Sequence, residues 1–372
     1  MGDAPKPPEK TTPEPPDAGA PVASAEPDAG VAHKPPVKDP LAAAGAVGKL
    51  ATTDPNVQVL IASDRIRKHP LGASFGRLLT TIPEWKSFFE GTELDPIRDV
   101  DHVLIAGPQF RDSSKVVAVM DYNLPEARVK QAIDVVVQRS DPPGAWLDDS
   151  PVPAAVARAD GGDRIFAMVP GKHLLVVMPA DAREQLGKLK SAGTFNKSST
   201  VGIAVSMVTP ARAFKNTPVP VPESLKWMRL AVIPGSDGGA EVMLDLMDES
   251  EASATEHAAE MGRAIEAIRK PDLGIFAGLA SIELFGPVST TTEGAMIRLG
   301  TRISEGQLRR IMTWVEAELT RIGQRRTDRQ RKPKVPSNKV APAPAPAPET
   351  SPTPTPTPVP VPPGAPTPGE PY

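Results

Sequence analysis

Proline sets the first limit on what this chain can fold into. Of its 46 prolines, 11 fall within the first 40 positions and 16 lie from Pro333 to the end. A residue with fixed φ and no backbone N–H cannot recur every second or third position inside a helix or a central strand. The stretches "MGDAPKPPEKTTPEPPDAG" and "APAPAPAPETSPTPTPTPVPVPP" also lack the large apolar side chains that offset the entropy of ordering a chain. Residues 1–52 are therefore expected to be a disordered Pro/Ala-rich tether. Residues 326–372 are expected to be a basic segment running into a disordered proline-rich tail, both ends favouring polyproline II. The roughly 270 residues between them suffice for one large domain or two ordinary ones.

Charge and cysteine usage exclude several functions. With 42 Lys plus Arg against 45 Asp plus Glu, no global field draws the chain toward nucleic acid, and no nucleic-acid partner is expected. The absence of cysteine removes disulfides, thiolate nucleophiles and thiolate metal sites. No run approaches the ~20 apolar residues that span a bilayer, and no signal peptide is recognisable. The opening "GDAPKPPEKTTPEPPDAG" resembles the tether that follows the lipidated cysteine of mature bacterial lipoproteins. That resemblance implies that Met1 stands where an acylated cysteine was. It would place the protein in the cell envelope, periplasmic or associated with the outer membrane, through a missing lipid anchor; a cytoplasmic protein with a disordered leader is the alternative.

Between the arms, short apolar runs alternate with amphipathic segments. "VQVLIAS" reads as a strand, and Leu71, Phe75, Leu78, Leu79 and Ile82 share one helical face behind Pro70. "DVDHVLIAG" and "KVVAVMDY" read as paired strands, followed by a helix with an Asn123/Glu126 capping box. The hairpin "RIFAMVPGKHLLVVMP" turns at Pro170-Gly171 and leads to a helix with a second box, Asp181/Glu184. The series then starts again: "TVGIAVSMV" as strand, "ARAFKN" as short helix, and "WMRLAVIPGSDGGAEVMLDLMDE" as a hairpin. A helix carrying Met261, Ile265 and Ile268 follows, then a strand pair around "TTTEGAMIRLGT" and a last helix opened by a Ser304/Gln307 box. The order repeats with Gly171 and Gly294 in matching hairpins, equivalents standing about 120 to 145 residues apart. The expected fold is α+β: two similar halves, 53–195 and 196–325, with largely antiparallel sheets packed against helices as split βαβ, ferredoxin-like units.

"LDPIRDVDHVLIAGP", with "HPLGASFGRLL" before it and "VVAVMDYNLPEARVKQAI" after it, resembles uncharacterised proline-tailed secreted or lipoprotein-like proteins of myxobacterial type. The resemblance covers about the first half of the core, and it implies no activity and no site residues.

No reactive constellation stands out. Gly72-Ala73-Ser74-Phe75-Gly76 has the G-x-S-x-G spacing of a nucleophile elbow, but Leu71, Phe75 and Leu78 place Ser74 inside helical periodicity rather than at a strand-to-helix apex. The two glycines, four apart, are better explained by close approach of another element. Asp99 and Asp101 beside His102 suggest a metal or acid–base cluster, yet strand alternation sends the two carboxylates opposite to the imidazole. His33, His173 and His257 lack the i, i+4 pairing of a helical zinc site, and a solvated role is expected of them. Met168, Met178, Met207, Met228, Met243 and Met247 fall on or near strands, where they either fill core gaps or line an adaptable apolar cavity. Arg325, Arg326, Arg329, Arg331, Lys332 and Lys334 form a basic run suited to contact an anionic surface. The expectation is a non-enzymatic cell-envelope binding or scaffolding protein on a flexible tether, with no catalytic residues, cofactor or metal and with a protein or envelope component as partner. A carrier of a hydrophobic ligand such as lipid, and an enzyme with an unmarked site, are the alternatives.

Overall fold

The structure, a computed structural model, describes residues 40–50, 55–109, 113–159, 161–197, 199–215, 221–269 and 283–331. Among the described residues, those up to Ile322 form one compact unit, and those from Gly323 to Arg331 belong to a second. The strands of the first unit are β1 (Val57–Ala62), β2 (Val100–Gly107), β3 (Val117–Tyr122), β4 (Ala145–Trp146), β5 (Ala154–Ala159), β6 (Gly162–Val169), β7 (Leu174–Pro179), β8 (Ile203–Met207), β9 (Trp227–Pro234), β10 (Ala240–Met247), β11 (Ser289–Glu293) and β12 (Met296–Ile303). The helices are α1 (Ser63–Ile66), α2 (Gly72–Thr81), α3 (Pro83–Phe89), α4 (Glu126–Arg139), α5 (Leu186–Leu189), α6 (Pro210–Ala213), α7 (Glu251–Arg269) and α8 (Glu305–Arg331). Fold class is thus mixed helix and sheet, and the strands join in a single 12-stranded sheet ordered β11-β12-β10-β9-β8-β1-β2-β3-β7-β6-β5-β4. Every pairing is antiparallel.

Glycine places the hairpin turns where the sequence signals them. Gly171 and Gly294, in the β6–β7 and β11–β12 turns, adopt φ of 73° and 55°, a left-handed conformation that glycine enters without a Cβ penalty. Gly235 N–H donates to the Gly239 carbonyl at 2.8 Å, closing the Ser-Asp-Gly-Gly turn between β9 and β10.

In the β1–β7 region both faces of the sheet carry a buried core. Leu60, Leu104, Val119, Ile165, Leu174 and Met178 point to one face, against the 3-10 helix Pro40–Leu50 and α5. Ile61, Val103, Met120, Phe166 and Met168 point to the other, against α1 to α4. The α4 stripe Val129, Ile133, Val136 and Val137 is buried there as its periodicity predicts. Full burial of each large aliphatic side chain contributes about 1.5–3 kcal/mol. A separate cluster packs Ala254 and Ala258 of α7 on Leu246, Ile297 and Leu299 of the sheet.

Several local expectations are corrected. The stretch Pro40–Leu50, assigned to the tether by composition, is a 3-10 helix broken by a kink at Gly45, with Ala44 and Val47 fully buried, because its small side chains fit close against the sheet. Gly193 allows that approach: a Cβ there would lie 2.1 Å from Ala46 Cβ. α4 has no Asn123 cap. The Asn123 amide instead donates to the Arg98 carbonyl and to Asp101 Oδ1, while Glu126 Oε1 accepts from Gly171 N–H. Ala180–Gln185 is a 3-10 helix without an Asp181 cap. α2 starts after Pro70, and Pro83 instead opens α3, with Ile82 extended as a residue before proline must be. The Ser304/Gln307 box is present, with both reciprocal hydrogen bonds formed.

Candidate binding site

A half-exposed apolar row crosses the sheet. Val59 lies opposite Ile105, Ile105 opposite Ala118, and Ala118 opposite Val177. In the other direction Val59 pairs with Val205, Val205 with Leu230 and Leu230 with Leu244. All seven side chains are only half-buried. At a strand spacing of ~4.8 Å the row is roughly 29 Å long.

Over one end of this row, between α3 and the sheet, lies an open-sided cavity of about 370 Å³. Its floor is Val59, Ile105, Ala118 and Val177, and its wall is Ile82, Trp85, Phe88 and Phe89. Phe88 stacks on Phe166 of β6 with ring centroids 5.8 Å apart, which holds α3 against the sheet. Only one charged residue lines the cavity. It is the buried Arg164, whose Nη1 donates to the carbonyls of Val116 at 3.0 Å and Ser114 at 3.4 Å. A second cleft of about 190 Å³, lined by apolar residues such as Leu71, Phe75, Ile203, Val232 and Ile311, separates α2 from α8. His69, in the lining, accepts from Leu71 N–H through Nδ1 and stands with Nε2 3.1 Å from the Gly239 carbonyl oxygen.

The sheet also buries a charged cluster. His102 stands between Asp121, 3.4 Å from Nδ1, and Asp64, 3.6 Å from Nε2, and stacks on Phe195. Neither carboxylate contact has hydrogen-bond geometry. Lys197 connects Asp121 at 3.5 Å with Asp101 at 3.8 Å, and Arg67 reaches Asp101 at 3.0 Å. Burial works to raise the Asp101 pKa, but the Asn123 and Arg67 hydrogen bonds outweigh it and hold the carboxyl below its ordinary value. Asp99 behaves alike: burial opposes ionisation, and the Arg98 hydrogen bond and the backbone N–H of Asp95 prevail. With 4 % of its surface exposed, His102 cannot receive a substrate.

Comparison with protein-family models, curated proteins and solved structures gives no match. The chain's own geometry carries the functional argument.

Ser74 is the third residue of α2, and its Oγ accepts from Arg77 Nη2 at 3.0 Å. The flanking glycines work as spacers. A Cβ at Gly72 would lie 2.4 Å from the Ile66 carbonyl oxygen, and one at Gly76 3.1 Å from Ile97 Cγ1. Asp101 and His102 do not simply alternate across β2: the register shifts between Val100 and His102, and Lys197 contacts both Asp101 and Asp121, the partner of His102. His257, expected to be solvated, bonds through Nδ1 to the buried Asp248 at 2.6 Å, because α7 starts beside that carboxylate. Met168, Met178 and Met207 are core residues, whereas Met228, Met243 and Met247 are half-buried. Among the described residues no group of three His, Cys, Asp or Glu is placed to hold a metal, and no helix is long and apolar enough to cross a membrane.

Arg325, Arg326, Arg329 and Arg331 lie on the last turns of α8, whose side chains there fall outside the described residues, as do Lys332 and Lys334 entirely. Asp64, Asp121 and Lys197 escape sequence reading, because only strand pairing and loop packing bring them to His102. The facing of His102 and Asp121 follows from the β2–β3 register alone.

Proposed function

We propose that this protein acts by binding rather than by catalysis, as a cell-envelope binding or scaffolding protein carried on proline-rich spacers. The half-exposed apolar row from Leu244 to Val177 carries this reading. A contiguous apolar surface of that length on a folded protein marks an interaction site. The groups able to do chemistry support the same side: His102 is buried, Ser74 is bonded to Arg77, and His257 is tied to Asp248. The proline-rich composition of residues 1–39 and 333–372 suits a stand-off from a membrane, and the basic run Arg325 to Lys334 suits an anionic surface at the far end. The likeness of the N-terminal composition to lipoprotein tethers supports an envelope location.

The same proposal includes descent of the sheet from an internal duplication. Outward from the β1–β8 seam, β1-β2-β3-β7-β6 matches β8-β9-β10-β12-β11 in order and in chain sequence. In each half a helix follows the third strand (α4, α7), and the strand at the far side of the matching set returns to it, as in a split βαβ unit. The row obeys the same relation, Val59, Ile105 and Ala118 corresponding to Val205, Leu230 and Leu244.

The test uses the full chain immobilised and exposed to detergent-solubilised cell envelope. A specifically retained component, lost in Val205→Asp, is expected. Absence of any such component, together with hydrolytic turnover that Ser74→Ala abolishes, would overturn the proposal.

A further inference from the structure

We propose that the cavity between α3 and the sheet is a preformed site for an uncharged, unbranched hydrocarbon chain. This deepens the binding reading and rests on it. The floor, Val59, Ile105, Ala118 and Val177, is one end of the half-exposed row, so the site is continuous with the surface already argued to bind. Its lining extends from Val59 on β1 to Ala159 on β5, six adjacent strands, or roughly 24 Å at a strand spacing of ~4.8 Å. A volume of about 370 Å³ drawn out over that span makes an elongated trough. It falls within the ~300–1,000 Å³ of small-molecule sites.

The roof is held in place by the protein's own contacts. Phe88 stacks on Phe166 of the sheet with centroids 5.8 Å apart, and Trp85 stacks on Phe89 along α3 at 5.7 Å. Near the end of the helix, Arg139 of α4 donates to the carbonyls of Ser87, Phe88 and Glu90. Stacking and hydrogen bonding thus tie α3 to its neighbours with the space beneath it open. A guest spends nothing on ordering such a site.

Composition of the lining selects the guest. Apart from the Trp85 indole, polar side chains are confined to Ser87 and Arg164, and both have partners within the protein. Arg164 is buried and donates through Nη1 to the Val116 and Ser114 carbonyls. A carboxylate or ammonium entering the trough would find that guanidinium committed and would lose its hydration uncompensated. An uncharged polymethylene chain has no such loss and gains by leaving water. The elongated shape favours a linear chain over a compact ring system, and Met120 in the lining adapts to chain packing.

The experiment titrates the full-length protein with diphenylhexatriene, an uncharged rod-shaped fluorophore, and displaces it with dodecanol, dodecanoate or dodecyltrimethylammonium below micelle formation. A pH of about 8 keeps the dodecanoate ionised. Saturable one-to-one binding is expected, with the alcohol displacing the probe at least tenfold better than either ion. Ala118→Trp fills the middle of the trough and, with unchanged circular dichroism, is expected to weaken binding at least tenfold. Ala118→Cys, a milder change, gives the cysteine-free chain a single thiol, whose alkylation dodecanol is expected to slow at least tenfold. Absence of saturable binding, displacement by either ion as good as by the alcohol, binding unchanged in folded Ala118→Trp, or a thiol that dodecanol leaves unprotected would overturn the assignment. Val205 lies outside the trough. Envelope retention that remains sensitive to Val205→Asp when no hydrocarbon chain binds therefore leaves the broader function standing and sinks this one alone.

Discussion

Val59 and Val205 lie directly opposite each other on the paired strands β1 and β8, both half-buried, near the middle of the sheet. Their matching burial makes a prediction about stability. Val59→Thr and Val205→Thr should each destabilise by less than about 1.5 kcal/mol and by similar amounts, since neither side chain is fully enclosed. Leu104→Ala, at a fully buried position, should lose about 2–5 kcal/mol. Urea unfolding midpoints of the three variants check this, and a Val205 loss equal to that of Leu104 would show that the row is enclosed.

Tyr122 is buried with a hydroxyl that finds no hydrogen-bond partner among the described residues. Burial first, and then the negative charges of Glu126 and Asp121, push its pKa up to about 12. Below pH 10, the ordinary tyrosine value, both folded and unfolded states are neutral and the group adds no pH dependence. Between pH ~10 and ~12 the unfolded state ionises first, so stability falls through that window. Tyr122→Phe should remove the alkaline loss and leave stability at pH 7 unchanged or higher by about 1 kcal/mol. Thermal unfolding from pH 8 to 12 measures both.

The acid side depends on carboxylates held low. Burial opposes ionisation of Asp248, but the His257 hydrogen bond and the Glu249 backbone N–H overcome it and depress its pKa. Asp99 and Asp101 are depressed in the same manner. Their contribution is present above the unfolded-state value near 3.9 and disappears as pH falls through the lower folded-state values. Asp248→Asn should destabilise by about 1–3 kcal/mol at pH 7 and flatten the decline below pH 4. Denaturant titrations at pH 7, 4 and 3 on wild type and variant test the slope.

Gly193 determines whether the 3-10 helix Pro40–Leu50 can dock. Since a Cβ at this position would lie 2.1 Å from Ala46 Cβ, Gly193→Ala should destabilise by about 1–3 kcal/mol through overpacking. Hydrogen exchange should quicken over residues 44–50 in the variant, and unchanged protection there would contradict the docking.

Ser74→Ala removes one exposed hydrogen bond to Arg77. The expected change is within about 0.5 kcal/mol. A larger loss in differential scanning would mean that the hydroxyl has a structural role beyond the helix surface.

Signals confined to a few neighbouring residues are legible in the sequence itself. The glycines of the β6–β7, β9–β10 and β11–β12 turns, the α4 stripe and the Ser304/Gln307 box all depend on contacts within one turn of chain, which spacing records. The Asn123/Glu126 box fits the same pattern and is nonetheless absent. Asn123 finds Arg98 and Asp101, and Glu126 finds Gly171, partners supplied by chain 22 to 45 residues away. Local preference yields where distant partners bind the same groups better.

From its sequence alone this chain could be known to be a mixed helix-and-sheet protein with antiparallel hairpins between proline-rich ends, because turn glycines, periodicity and proline act through their own backbone. Tertiary structure decided that one sheet joins all the strands, that His102 meets Asp64 and Asp121, and that Val59, Ile105, Ala118 and Val177 form the floor of a trough. Those relations require strands far apart in the chain to lie side by side. Pairing register and helix placement set them, and no short stretch of residues records either one.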